Sequence, residues 1–243
     1  MIGNFFLKIF TVVINLIDQE NRSKIRKFFK SRLNNQSIYI FDIGAHKGET
    51  IQLFIKNFNI NRIYSFEPNL NLYEFLIKKK EFISDKIKIF NLGFGLNSEI
   101  KELSIFQDTS SSTLNRLNEN TEYFKRKKKF MSLFFNKDNF VAKKQKVKIY
   151  NLSKFINEKS IQRIDILKID TEGYEYNILK GIDEKDFKKI RFIYFEHHYD
   201  LMINKGYKFS NIKKLLEKNN FQKRYKLRMR FRKSFEYIYE KKN

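Results

Sequence analysis

From residue 38 onward, short runs of β-branched and aromatic residues alternate with stretches whose apolar positions recur at helical spacing. That rhythm predicts βαβ units and a mainly parallel sheet, because parallel strands are buried on both faces and joined by crossover helices. The predicted strands are 38–43, 62–66, 86–92, 100–106, 147–152, 164–169 and 190–196, with helices near 48–58, 69–80, 152–158 and 174–180. A helix over 211–218 then precedes two strands, 221–229 and 234–240, joined by a short basic turn. Strands so close in sequence pair antiparallel, since a parallel crossover needs about a dozen residues or more. The expected class is α/β, with a mainly parallel sheet ending in an antiparallel C-terminal hairpin.

Residues 1–34 read as an N-terminal helical extension and 35–243 as the domain proper. Phe6, Phe10, Val13 and Ile17 share one helical face, and Arg22, Lys24, Arg26, Lys27, Lys30 and Arg32 follow with no acid among them. The apolar run is broken by Asn4, Lys8 and Asn15, so it falls short of the roughly 20 apolar residues of a spanning helix, and it lacks the small-residue cleavage site of a secretory signal. The first expectation is a helix packed on the domain or on a partner. The second is a cytoplasmic protein held peripherally to the anionic inner face of a membrane through residues 1–32. Residues 118–146 form a basic insertion containing Lys125–Lys129 among Phe124, Phe130, Phe134 and Phe135, a pattern expected of a helical cap or lid with one apolar face.

Composition narrows this picture. A chain of 243 residues, 42% hydrophobic with 27 Phe and 13 Tyr, can bury a packed core as a single domain plus extension. The formal charge of +23 favours anionic partners, although the abundance of Ile, Asn and Phe beside Lys is also what an AT-rich genome imposes. With no Cys, disulfides and thiolate chemistry are excluded, and His46, His197 and His198 lie in two separated segments, a poor basis for a zinc site.

Candidate chemistry gathers at strand ends. After an apolar strand comes Phe41-Asp42-Ile43-Gly44-Ala45-His46-Lys47-Gly48, whose glycines allow a tight turn and close backbone approach at the start of a helix. Alone this could be an ordinary strand-to-helix turn. Glu67, in Ser65-Phe66-Glu67-Pro68, ends the next strand about 20 residues beyond the turn, where an acid accepts hydrogen bonds from the ribose of an adenosine cofactor. The rival role for Glu67 is to cap the helix that follows. A third strand ends in Lys168-Ile169-Asp170-Thr171-Glu172-Gly173 and a fourth in Glu196-His197-His198, all at the edge where ligands of open α/β sheets bind. His197, or Asp170 with Glu172, is therefore the expected general base, the alternative for either His being a structural role.

These segments, with Asp108–Leu114, Asp165–Gly173 and Phe195–His197, resemble the FkbM family of methyltransferases over residues 38–198. The resemblance implies a Rossmann-like methyltransferase fold and O-methylation of a hydroxyl on a sugar, glycan or small natural product, with S-adenosyl-L-methionine as methyl donor. It further implies cofactor contacts at Asp42, Gly44, Glu67 and, by position, Asn91, with Ser111 in a serine-rich loop; Ala45 and Gly48 of the glycine turn complete the candidate cofactor set, and no residue is singled out as a metal ligand. The missing third glycine of a Gly-x-Gly-x-x-Gly turn argues against a dinucleotide. The absence of an Asn-Pro-Pro-Tyr-like signature argues against a nucleic-acid substrate despite the basic charge, and a non-catalytic scaffold with this fold stands as a further alternative.

Overall fold

The computed structural model describes residues 19–106, 112–131, 141–229 and 233–242. The apolar face at Phe6–Ile17, Ser111, and Phe134 and Phe135 lie outside them.

Seven strands form the main sheet: β1 (Ile38–Ile43), β2 (Ile60–Phe66), β3 (Ile87–Phe90), β8 (Ile164–Ile169), β9 (Ile190–His198), β10 (Phe221–Arg228) and β11 (Ser234–Lys241). Their order is β10-β11-β9-β8-β1-β2-β3, parallel except that β11 pairs antiparallel with both β9 and β10, as the hairpin reading requires. From β1 the chain winds outward through β2 to β3, then returns to lay β8 on the other side of β1. The tips of β1 and β8 therefore flank the point where winding reverses, where open α/β sheets bind ligands.

Strand parity sorts the core into two layers. Ile38, Ile40, Ile63, Ile166, Phe192 and Ile238 face a helical layer formed by α1 (19–33), α2 (Glu49–Ile55) and α3 (Leu70–Lys78). The alternate residues Phe41, Ile43, Phe66, Leu167, Ile169, Ile193 and Phe195 face α5 (Leu152–Glu158), α6 (Glu175–Lys180) and α8 (Phe209–Lys218). Ile25, Phe29 and Leu33, four residues apart, are buried, so the described part of the extension packs on the domain.

Two predicted strands do not join the main sheet. β5 (Glu99–Phe106) and β7 (Val141–Asn151) pair antiparallel in a second sheet ordered β4-β7-β5-β6, with the short strands β4 (Gly93–Gly95) and β6 (Ser112–Thr113). Their alternation explains it: Leu103, Ile105, Val147 and Ile149 bury one face while Glu102, Lys146 and Lys148 stay exposed, the mark of a half-solvated antiparallel pair. Within the basic insertion, α4 (Glu122–Met131) buries Phe124 against Phe106, Met202 and Ile203. The remaining helix, α7 (Glu184–Phe187), is a single turn leading into β9.

Candidate functional site

At the tip of β1 the chain turns through Gly44 at φ +84°, and a Cβ there would overlap the carbonyl oxygen of Asp170. Asp170 in turn donates its N–H to the Ile43 carbonyl at 2.9 Å, so the two strand tips meet across the turn. A cavity of about 450 Å³ opens above them. Gly44, Ala45, Glu67 and Gly93 line it, together with Asp170, Glu172, Glu196 and Glu236.

Glu67 is buried with its carboxylate on the cavity wall. Its Oε2 accepts the His46 N–H at 2.8 Å and its Oε1 the Asn69 N–H at 2.9 Å. The second bond belongs to the turn into α3, so the cavity role and the turn role coincide in one side chain. Burial pushes this carboxyl up to about 7, against the pull of the two N–H donors. Each oxygen keeps a lone pair for a further donor.

Other residues expected to touch a cofactor stand behind the wall instead. Asn91 donates to the carbonyls of Glu67 and Pro68 at 2.9 and 3.1 Å, holding the turn that carries Glu67, and does not line the cavity. Gly48 caps α2 at φ +85°, where a Cβ would strike the Phe82 ring; it too is off the cavity. Asp42 is fully buried beneath the turn, accepting from Ser65 Oγ at 3.2 Å. Burial raises its pKa, with Lys168 and Ser65 opposing. Ser112, next to the undescribed Ser111, lines the cavity. No described residue of the 118–146 insertion does so.

The expectation for His197 is corrected by strand parity. Tyr194, Glu196 and His198 share the face of Asp42 and Lys168, which puts His197 on the other face, packed among Tyr199, Tyr207 and Phe209 with ring centroids 4.8–5.8 Å away. It is buried and off the cavity, and burial, with Lys205 and His198 nearby, lowers its pKa to about 4. His46 is the imidazole that lines the cavity, and His198 stands behind two acids of its wall: its Nε2 lies 3.2 Å from Glu172 and 3.5 Å from Glu196, and its Nδ1 3.7 Å from Asp200. Burial would discharge it, but Glu172, Asp200 and Glu196 carry its pKa to about 10. The resulting imidazolium anchors Glu172, whose backbone sits at φ +50°.

The registers also align a polar row across the centre of the sheet, with Ser65 beside Asp42, Asp42 beside Lys168, and Lys168 beside Tyr194. Lys168 Nζ lies 3.5 Å from Asp42 and 3.4 Å from Asp170. Burial opposes its charge, yet Asp170 and Asp42 hold its pKa above the ordinary value. At the far end the Tyr194 hydroxyl donates to Glu236, whose carboxyl is pushed up to about 7 by burial and by Glu196. His46, Lys168, Tyr194 and Glu236 were not singled out from sequence. For Lys168 a signal existed, a cation inside a strand that is apolar but for it and Asp165.

A profile of the methyltransferase FkbM domain matches residues 42–223. The chain belongs to the FkbM methyltransferase family. It is 26% identical over 165 residues to the methyltransferase sdnD of Sordaria araneosa, a match covering 63% of each chain, so it spans under two thirds of that relative. Among solved structures, an FkbM methyltransferase from Methylobacillus flagellatus KT aligns over 84% of this FkbM chain and 44% of its own at 15% identity, with a TM-score of 0.49. TrmK of M. capricolum, solved with S-adenosyl-homocysteine, aligns over 92% of this chain and 68% of its own at 13% identity and a TM-score of 0.52, a likeness of fold.

Proposed function

We propose that the chain is an S-adenosylmethionine-dependent O-methyltransferase acting on a hydroxyl of a sugar, glycan or small natural product. The observation that carries this reading is the buried Glu67 carboxylate, set on the cavity wall beside a Gly44 turn too close to Asp170 for any side chain. A ribose fits such a pair: two carboxylate oxygens for its hydroxyls and bare backbone beside it. When bound, the sulfonium supplies an electrophilic methyl group. The chain's own work is to hold an acceptor oxygen in line with it, a contribution of roughly 7–11 kcal/mol in well-positioned reactions. A hydroxyl must also lose its proton, and Asp170 and Glu172, on the cavity wall, are the bases assigned here. His198 keeps Glu172 in place for that role. Asn21, Arg22, Met229 and Glu236 line the cavity from outside the family-matched span, which supports an acceptor end particular to this chain.

Peripheral attachment to an anionic membrane surface through residues 1–32 belongs to the same proposal, supported by exposed Arg22, Lys27 and Lys30 on α1. Calorimetry with S-adenosylmethionine, followed by transfer of a labelled methyl group to glycan and lipid-linked sugar acceptors, tests the reading. Absence of cofactor binding returns the scaffold alternative, and label appearing in RNA instead would replace the acceptor class.

A further inference from the structure

The middle of a parallel sheet is where charge is least expected, yet β8 carries Lys168 there with its side chain only 10% exposed. One ammonium serves two carboxylates, Asp42 at 3.5 Å and Asp170 at 3.4 Å, with Glu236 also close enough to bear on its charge. Stability is a poor reason for such a group, because replacing a buried ion pair with apolar residues is often neutral or favourable. Position is a better one. Asp42 and Asp170 stand at the tips of the two strands that flank the glycine turn, and the Asp170 carbonyl packs directly on Gly44. A shift of either tip would open or close the seat over that turn.

We propose that Lys168 is a positioning residue for the methyl donor: it fixes the β1 and β8 tips against each other through Asp42 and Asp170, and so keeps the seat formed before the cofactor arrives. The inference rests on the cofactor reading above. It assigns Lys168 no contact with the reacting atoms.

Isothermal titration with S-adenosylmethionine and S-adenosylhomocysteine, beside thermal unfolding, tests it on the full chain. Lys168→Met alone would strand the buried Asp42 carboxylate, so the informative variant is Asp42→Asn with Lys168→Met, which removes charge and countercharge together. Its melting temperature is expected to equal or exceed that of the wild type, while both ligands bind about tenfold more weakly or worse. Asp170→Asn is the second variant. It keeps the Lys168–Asp42 pair, changes a carboxylate that is 34% exposed, and is expected to fold normally and bind both ligands several-fold more weakly. Wild type that binds neither ligand overturns the cofactor reading, and this one with it. Wild type that binds, beside a folded double variant or Asp170→Asn that binds within about twofold of it, overturns the positioning role alone. So does a double variant that melts lower yet keeps its affinity.

Discussion

At Gly44 an L side chain would face about 1–2 kcal/mol of left-handed strain and a clash with a backbone carbonyl that no rotamer relieves. Gly44→Ala is accordingly expected to lower the melting temperature and abolish S-adenosylmethionine binding; a variant that bound normally would mean the Asp170 tip yields. Glu67 titrates near 7 in the free protein, so cofactor affinity should fall as pH drops through that value, to about tenfold weaker at pH 6 than on the alkaline plateau. Glu67→Gln should bind weakly and show much less of that dependence, which calorimetry across pH 5.5–8 would read. His197 is shifted downward instead. Its folded pKa, about 4, lies below the ordinary value near 6.5, so the stability it contributes is present above pH 6.5 and lost as pH falls toward 4. His197→Phe should remove that acid-side loss and leave turnover within about twofold, whereas a fall of about 10²–10⁴ would restore His197 as base. The place of Gly44 and Glu67 on the cavity could be read from sequence because it follows from a strand end and a fixed spacing. His197 could not, because one step along a strand reverses its face and the sequence does not say which parity the cavity shares. Asn91 and Gly48 were legible as special positions but not as supports, since what they touch comes from distant segments.

At the scale of elements, the central strands and their crossover helices were legible because burial on both faces leaves runs such as Ile38–Ile43 and Ile164–Ile169 mostly apolar, with Asp42, Asp165 and Lys168 their charged members. The hairpin was legible from its short connection. The second sheet was not, although the Lys-Val-Lys-Ile alternation at 146–149 carried the signal of a half-exposed strand. Partners of an antiparallel pair separated by residues 107–140 leave no spacing to read, and β7 takes in residues 141–146 of the expected insertion. The extension shows how much an element's role depends on what covers it: α1 reads as basic, yet it lays Phe29 into a cluster with Phe54, Phe192 and Tyr194 at centroid distances of 5.5–6.0 Å. Phe29→Ala should therefore cost about 3–5 kcal/mol of stability, measured by denaturant unfolding, as truncation of a buried aromatic does. A cost below about 1 kcal/mol would show α1 to be loosely attached, and with it the wall that Asn21 and Arg22 give the cavity.

Over the whole molecule, charge is divided between outside and inside. The formal +23 is carried by exposed residues such as Lys27 and Lys30 on α1, Lys125 and Lys128 on α4, and Lys223 and Arg228 on β10, whereas on the cavity wall Glu67, Asp170, Glu172, Glu196 and Glu236 outnumber Arg22, Lys47 and Lys168. A polyanion can be held by the exterior but is poorly matched to the interior, so the basic surface is better suited to placing the protein than to feeding the site. An anionic bilayer is the surface this predicts, because the cations of α1 directly follow an apolar run in sequence, and none of the described helices is long and apolar enough to cross a membrane. Attachment of that kind is screened by salt, since the Debye length falls from roughly 14 Å at about 50 mM to roughly 4 Å at about 500 mM. Cosedimentation with phosphatidylglycerol-containing vesicles should accordingly be strong at the lower salt and largely lost at the higher. Reversing Lys27 and Lys30 to Glu removes two cations near the surface, each worth about 1 kcal/mol, and adds repulsion, so partitioning should weaken about thirtyfold or more while cofactor affinity stays unchanged. Vesicle binding that ignored both salt and the charge reversal would mean that apolar insertion alone holds the protein. Binding to RNA with no binding to vesicles would reassign the basic face to nucleic acid.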